Sequence, residues 1–149
     1  MISAERTNGS RSKRRSVLIV EDNVSLATCL EMLLEAHDYE VYRTIDGTGG
    51  LQSIKLMDFD IVLCDLIMPG LTGDLLHSAV RLFKPYLCDR FIFMSGHPDK
   101  EKWSGLPTCA GRPIFWKPFP VSELLAAIEQ VLQENACRPN TRQLQSVPV

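Results

Sequence analysis

The chain has no Cys-x-x-Cys pair, although it contains five cysteines: Cys29, Cys64, Cys88, Cys109 and Cys137. An odd number of scattered thiols excludes a closed disulfide framework and offers no zinc-ligand spacing. The pattern points to reduced cysteines and a cytoplasmic setting. No apolar run approaches the ~18 residues that a membrane span needs. The basic start is not followed by the long apolar segment of a signal peptide. There is no large excess of charge either, the formal net charge being -2. The charge is uneven, however. Residues 1–15 hold Arg6, Arg11, Lys13, Arg14 and Arg15 against Glu5, which leaves the rest of the chain acidic. An acidic body with a short basic arm is a poor partner for a phosphate backbone, so no direct DNA binding is expected.

What is present is the composition of one globular domain: 149 residues, 45% of them hydrophobic. No internal repeat and no second domain are visible. The organisation expected is a flexible basic arm over 1–15, a folded body over 16–135 and a disordered tail over 136–149. Within the body, Val17–Val20 reads as a buried strand. Leu26, Leu30, Leu33 and Leu34 then recur at helical spacing, giving a helix from Val24 to about His37. Glu40–Thr44 alternates as a strand. A weaker helix spans Thr48–Met57, with Gly49 and Gly50 costing its first turn about 1 kcal/mol each relative to Ala. Ile61–Cys64 is a second short apolar run, followed by a helix over Gly73–Phe83 before Pro85. Arg90–Met94 is a further strand, and only a short helix fits between Pro98 and Ser104 because Gly105 and Pro107 limit it. Ile114–Trp116 is the fifth strand, and Val121–Glu134 a closing helix with the apolar stripe Leu124, Leu125, Ile128, Val131 and Leu132. Five alternations with buried strands define an α/β fold: a five-stranded parallel sheet with helices on both faces, doubly wound.

That topology gives the polar strand ends their meaning. Asp65 closes the run Ile61–Cys64, and by itself reads as a solvated loop residue. Glu21-Asp22, Ser95 and Lys117 close three other strands, and in a parallel sheet all carboxyl ends share one rim. Crowded carboxylates resist ionisation unless a cation joins them. Oxygen ligands with few protein donors suit Mg²⁺. A carboxylate nucleophile, a divalent cation, a lysine and a hydroxyl around one small volume suit a phosphoryl group. Backbone N–H groups after Asp65 and near Gly96 add donors, and Gly96 leaves room beside them.

The segment from about Ser16 to Glu134 resembles the receiver domain of two-component response regulators. Four motifs in order carry the likeness: Val-Glu-Asp-Asn, Cys-Asp-Leu-Ile-Met-Pro-Gly, Met-Ser-Gly and Trp-Lys-Pro-Phe. The resemblance implies the flavodoxin-like (βα)5 receiver fold and a phosphorelay function that switches protein–protein contacts. It implies that Asp65 accepts a phosphoryl group from a phosphohistidine of a sensor histidine kinase or histidine phosphotransfer protein. Asp22, Asp65 and the Ile67 backbone carbonyl would ligate Mg²⁺, with Glu21 acting mainly through a metal-bound water. Ser95 would be the switch hydroxyl, Lys117 the phosphate partner, and Lys117-Pro118 the family's cis peptide. The downstream partner would be an unknown protein, with a homodimer possible through the face of the fourth helix, fifth strand and fifth helix. Such a domain catalyses only its own phosphorylation and dephosphorylation.

The chain departs from the pattern in places. Glu21 replaces the commoner first Asp. Ile114 stands three positions before the lysine, where the family often has an aromatic switch residue, and alternation points Phe115 to the other face. Ile67 and His97, each two residues after an active-site residue, flank the position of a hydrolytic water. The apolar Ile67 is expected to hinder that water, whereas His97 reads as a surface histidine. His37 and His77 carry no partner pattern. Alternatives are a receiver module of a hybrid sensor kinase, a stand-alone regulator without an output domain after Glu134, and a non-phosphorylated pseudo-receiver acting as a binding module. A flavodoxin-like cofactor binder needs a phosphate loop where Glu21-Asp22-Asn23 stands. A haloacid-dehalogenase-type phosphatase fits least, having Ile67 where a second Asp belongs.

Overall fold

A computed structural model describes residues 13–96 and 114–136. The order is β1 (Ser16–Val20), α1 (Val24–Ala36), β2 (Glu40–Thr44), α2 (Gly47–Leu56), β3 (Ile61–Asp65), α3 (Gly73–Arg81), a 3-10 helix (Pro85–Arg90), β4 (Phe91–Ser95), β5 (Phe115–Trp116) and a closing helix, α4 (Val121–Ala136). The short helix expected between Pro98 and Ser104, and His97 with it, lie outside the described residues. So do residues 1–12 of the expected arm and residues 137–149 of the expected tail. Lys13, Arg14 and Arg15 are described. The Arg15 carbonyl accepts from the Glu40 N–H at 2.9 Å, and Arg14 and Arg15 reach Asp38 at 3.3 Å and Asp60 at 3.8 Å. These pairs are exposed and contribute little stability.

All strands are parallel, in the order β2-β1-β3-β4-β5. The chain steps from β1 outward to β2, then back across to β3. This reversal opens a crevice between β1 and β3 at their carboxyl ends, where α/β sheets place their sites. Side-chain alternation divides the core into two layers. Leu18, Val20, Val62, Cys64, Phe91 and Phe93 face α2 and α3 through Ile54, Leu76 and Val80. Val17, Ile19, Ile61, Leu63, Ile92 and Met94 face α1 and α4 through Leu30, Leu34, Leu124 and Ile128. β1, β3 and β4 are buried along their whole length, which is why they read as unbroken apolar runs.

Of the two glycines expected to weaken α2, Gly49 serves the helix cap and Gly50 has a packing reason. Asp46 caps the helix, its side chain accepting from the Gly49 N–H at 2.7 Å. A Cβ on Gly50 would lie 3.1 Å from Val20 and 3.2 Å from Leu76, so glycine lets α2 approach the sheet. The segment after α3 holds a 3-10 turn that periodicity did not signal. Pro85 stands in its first turn, where the missing N–H costs nothing. His77, assigned no role from the sequence, is a core residue. Its Nε2 donates to the Cys88 carbonyl at 3.2 Å and its ring meets Phe91 edge-on at 5.0 Å. Burial holds its pKa below 6.5.

Gly73 decides how closely α3 follows the end of β3. A Cβ there would lie 2.4 Å from the carbonyl oxygen of Asp65. Gly73→Ala is therefore expected to cost about 1–3 kcal/mol in urea unfolding, by pushing α3 off the end of β3. An unchanged midpoint would show that α3 has room to move.

Candidate functional site

Four of the five strands, β1, β3, β4 and β5, end at groups of the site. After β1, the Glu21 N–H donates to the Thr44 carbonyl at 3.1 Å, prolonging the pairing with β2 by one residue. That extension turns the Glu21 side chain inward, leaving it 1% exposed, whereas Asp22 is exposed. Asn23 then caps α1: its side chain accepts from the Leu26 N–H at 3.1 Å, and its own N–H donates to Glu21 Oε1 at 3.2 Å. Two adjacent acids and a cap thus hold one buried and one solvated carboxylate at the crevice.

Asp65 ends β3 and is 4% exposed. The next residues hold its side chain in place. The Leu66 N–H donates to the Met94 carbonyl at 2.8 Å, and the Ile67 N–H donates to Asp65 Oδ1 at 3.0 Å. Ser95, fully buried, lies one residue beyond the Met94 that pairs with Asp65. Its carbonyl accepts from the Lys117 N–H at 2.8 Å. Lys117 follows β5, and the Lys117-Pro118 peptide is cis as expected. Its Nζ donates to Glu21 Oε2 and Asp65 Oδ2, both at 2.8 Å. Groups separated by 96 and 52 positions are thereby joined through one ammonium.

The electrostatics follow from this crowding. Burial pushes the Glu21 carboxyl up to about 7; the hydrogen bond from Lys117 opposes the rise and the charge of Asp65 adds to it. For Lys117, burial works against the charge. The bonds to Asp65 and Glu21 outweigh it and raise the pKa above 10.5, so the ammonium persists. One cation does not neutralise this cluster. Carboxylate oxygens of Glu21, Asp22 and Asp65 all lie within 4.8 Å of one another. An all-oxygen donor set of that size, solvated on the Asp22 side, fits a hard divalent cation that keeps several waters.

Of the residues singled out in the sequence, Glu21, Asp22, Asp65 and Lys117 converge directly, and Ser95 and the Ile67 backbone border them. Gly96 lies against Lys117, where a Cβ would meet the lysine carbons at 3.6 Å and 3.9 Å in ordinary contact. Ile114 packs with the α2–α3 layer, and Phe115 with the other layer beside Phe119, as alternation required. His97 lies outside the described residues. Two features escaped the sequence reading. One is the Asn23 N–H bond that fixes Glu21, which the helix start after Asn23 could have signalled. The other is the position of Trp116 directly opposite Ser95.

A parallel 2-1-3-4-5 sheet with carboxylates, a hydroxyl and a lysine at its carboxyl edge defines a class, and the family model for the response regulator receiver domain matches residues 17–129. The chain belongs to that family. Among curated relatives, the cell cycle response regulators CtrA of Brucella ovis and Brucella suis are 32% identical over 122 residues. The match takes in 80% of this chain and 50% of each relative. The chain therefore spans about half the length of the curated relatives it matches. A CheY-like receiver domain protein from Methanospirillum hungatei superposes with a TM-score of 0.74 at 26% identity, covering 83% of this chain and 97% of that one. The response regulator TrrA of Thermotoga maritima, solved in complex with Mg²⁺ and BeF, has a TM-score of 0.70 at 23% identity, covering 79% and 99%. No helix among the described residues is long and apolar enough to cross a membrane.

The lysine bridge generates a pH-dependent expectation for the cation-free protein. Between pH 4.5 and about 7 the native Glu21 keeps a proton that the unfolded chain has released. This carboxyl therefore favours folding at low pH, and the benefit is lost as pH rises through about 7. Lys117→Met removes the group that opposes the shift. With divalent cations chelated, it is expected to destabilise by roughly 2–3 kcal/mol at pH 8, less than for a fully buried pair because the ammonium keeps some solvent. The deficit should shrink toward pH 5 in denaturant titrations. A pH-independent deficit would mean that packing, not charge, is what Lys117 supplies.

Proposed function

We propose that the chain is a phosphoacceptor module of a two-component phosphorelay. The single observation that carries this reading is the Lys117 ammonium held 2.8 Å from both Glu21 and Asp65, at the edge where three acids converge. In the proposed step an Asp65 carboxylate oxygen attacks the phosphorus of a phosphohistidine, the P–N bond breaks, and the leaving imidazole takes a proton. The donor is a sensor histidine kinase or a histidine phosphotransfer protein. Asp22, Asp65 and the Ile67 carbonyl would hold Mg²⁺, with Glu21 reaching it through water. Bound there, the ion supplies neutralisation of the charge that builds on the transferring oxygens. Lys117 exchanges its carboxylate contacts for a phosphoryl oxygen, and the Ser95 hydroxyl donates to another. The Mg²⁺–BeF complex of TrrA supports this choice of ion and ligand class.

The module catalyses only its own phosphorylation and dephosphorylation, and its output is a change of protein contacts, homodimer formation through the β5–α4 side included. A stand-alone regulator, a hybrid-kinase module and a part of a longer regulator all accommodate this chemistry.

Incubation with acetyl phosphate and Mg²⁺, followed by intact mass, is expected to give one phosphoryl adduct. It should disappear in Asp65→Asn and on chelation. An unmodified wild-type protein that still binds Mg²⁺ would establish the pseudo-receiver alternative instead. A second expectation concerns lifetime. Ile67 is 37% exposed at the site's mouth and brings no polar group to a hydrolytic water. Ile67→Asn should shorten the half-life of the adduct several-fold, read by mass after removal of the donor. An unaltered half-life would exclude Ile67 from that control.

A further inference from the structure

The route by which Ser95 affects the surface is unusual in this chain, because position 114 carries an aliphatic side chain. The β4–β5 register supplies another candidate. Met94 pairs with Phe115 and Ser95 with Trp116. Paired residues on adjacent parallel strands project to the same face about 4.8 Å apart. Trp116 therefore stands immediately beside the Ser95 side chain. The same register places Ile114 one step back, level with Phe93. The backbone fastens the pair as well, through the Lys117 N–H to Ser95 carbonyl bond of 2.8 Å.

The two ends of the pair differ in environment. Ser95 is fully buried. Trp116 is half-buried: it packs on the α2–α3 layer through its inner part, and also lines a groove of about 470 Å³ with Ile114, Pro118, Pro120 and, on α4, Glu123 and Ala126. A hydroxyl that turns toward a phosphoryl group on Asp65 vacates space inside a layer packed at crystal-like density. The neighbouring side chain then loses its contacts unless it follows. Among the described residues, the one paired directly with Ser95 on β5 is Trp116.

We propose that Trp116 is the aromatic switch residue of this receiver: it follows Ser95 inward on phosphorylation of Asp65 and reshapes the β5–α4 groove, in place of the side chain at position 114. The inference rests on the phosphoacceptor reading and deepens it. Trp116 is a positioning residue and touches no reacting atom. Its size is what matters, so Trp116→Phe retains part of the coupling and Trp116→Ala loses it.

The chain has two tryptophans, Trp103 and Trp116, so Trp103→Phe leaves one reporter. In that background, saturating beryllofluoride with Mg²⁺ is expected to shift the Trp116 emission to the blue and to protect it from acrylamide quenching. Ser95→Ala, compared at a beryllofluoride concentration at which ¹⁹F resonance shows its site filled, should lose both changes. Amide exchange of residues 121–127 gives a readout independent of the indole. It should respond to beryllofluoride in wild type, respond partly in Trp116→Phe, and fail to respond in Trp116→Ala. Bound beryllofluoride with unaltered emission, or the same shift in Ser95→Ala, would overturn the inference while leaving the phosphoacceptor reading intact. Absence of any beryllofluoride or phosphoryl adduct overturns both.

Discussion

The structure depends on one shared cation. Lys117 Nζ lies between two carboxylates that are nearly sealed from solvent, Glu21 and Asp65, and binds each at the same distance. Without it, two neighbouring buried acids would face one another at the carboxyl edge of the sheet with no cation between them. With it, the edge is stable yet incompletely neutralised. A third acid, Asp22, remains solvated within ligand distance. The same interaction that tolerates the crowded acids also leaves the edge favouring a further positive charge, so stability and cation affinity come from a single arrangement.

The rest of the fold sets the geometry of that bridge. The reversal between β1 and β3 opens the crevice, and the extra pairing of Glu21 with Thr44 aims its carboxylate inward. The Asn23 cap and the Ile67 N–H each hold one carboxylate oxygen by a backbone donor. Gly50 and Gly73 let α2 and α3 sit against the sheet without displacing its edge. None of these groups is chemically reactive. Their effect is to keep donors and acceptors about 3 Å apart, the separation that a hydrogen bond requires.

The chemical end and the signalling end have different character. The chemical end is made of backbone-fixed groups at strand termini, and its parts resemble those expected of the response regulator receiver family. The proposed signalling end is side-chain packing at and beside β5, where Ile114 and Trp116 lie on one face and Phe115 on the other. Packing is adjustable, since cores accept volume-conserving rearrangement more readily than loss of a buried charge partner. It is there that this chain has room to differ from its relatives.

How much the chain itself disclosed follows the same division. The unbroken runs Val17–Val20, Ile61–Cys64 and Phe91–Met94 announce strands covered on both faces, and the stripe Leu124–Leu132 announces a helix, because burial periodicity is a local property. Strand alternation with helices then implies a shared carboxyl edge, so Asp65, Glu21, Asp22, Ser95 and Lys117 were legible as one site before any coordinates. The 3-10 turn at Pro85–Arg90 was not, having no periodicity to signal it, and Gly50 read as a defect because its reason lies across the interface with Val20 and Leu76. Likewise His77 disclosed nothing, since its partner is a carbonyl eleven positions on. The order of residues determined which groups meet at the rim. Only the tertiary structure decided that Glu21 is buried while Asp22 is solvated, that one lysine binds both acids, and that Trp116 stands opposite Ser95. Those depend on strand register and side-chain direction, which no local pattern contains.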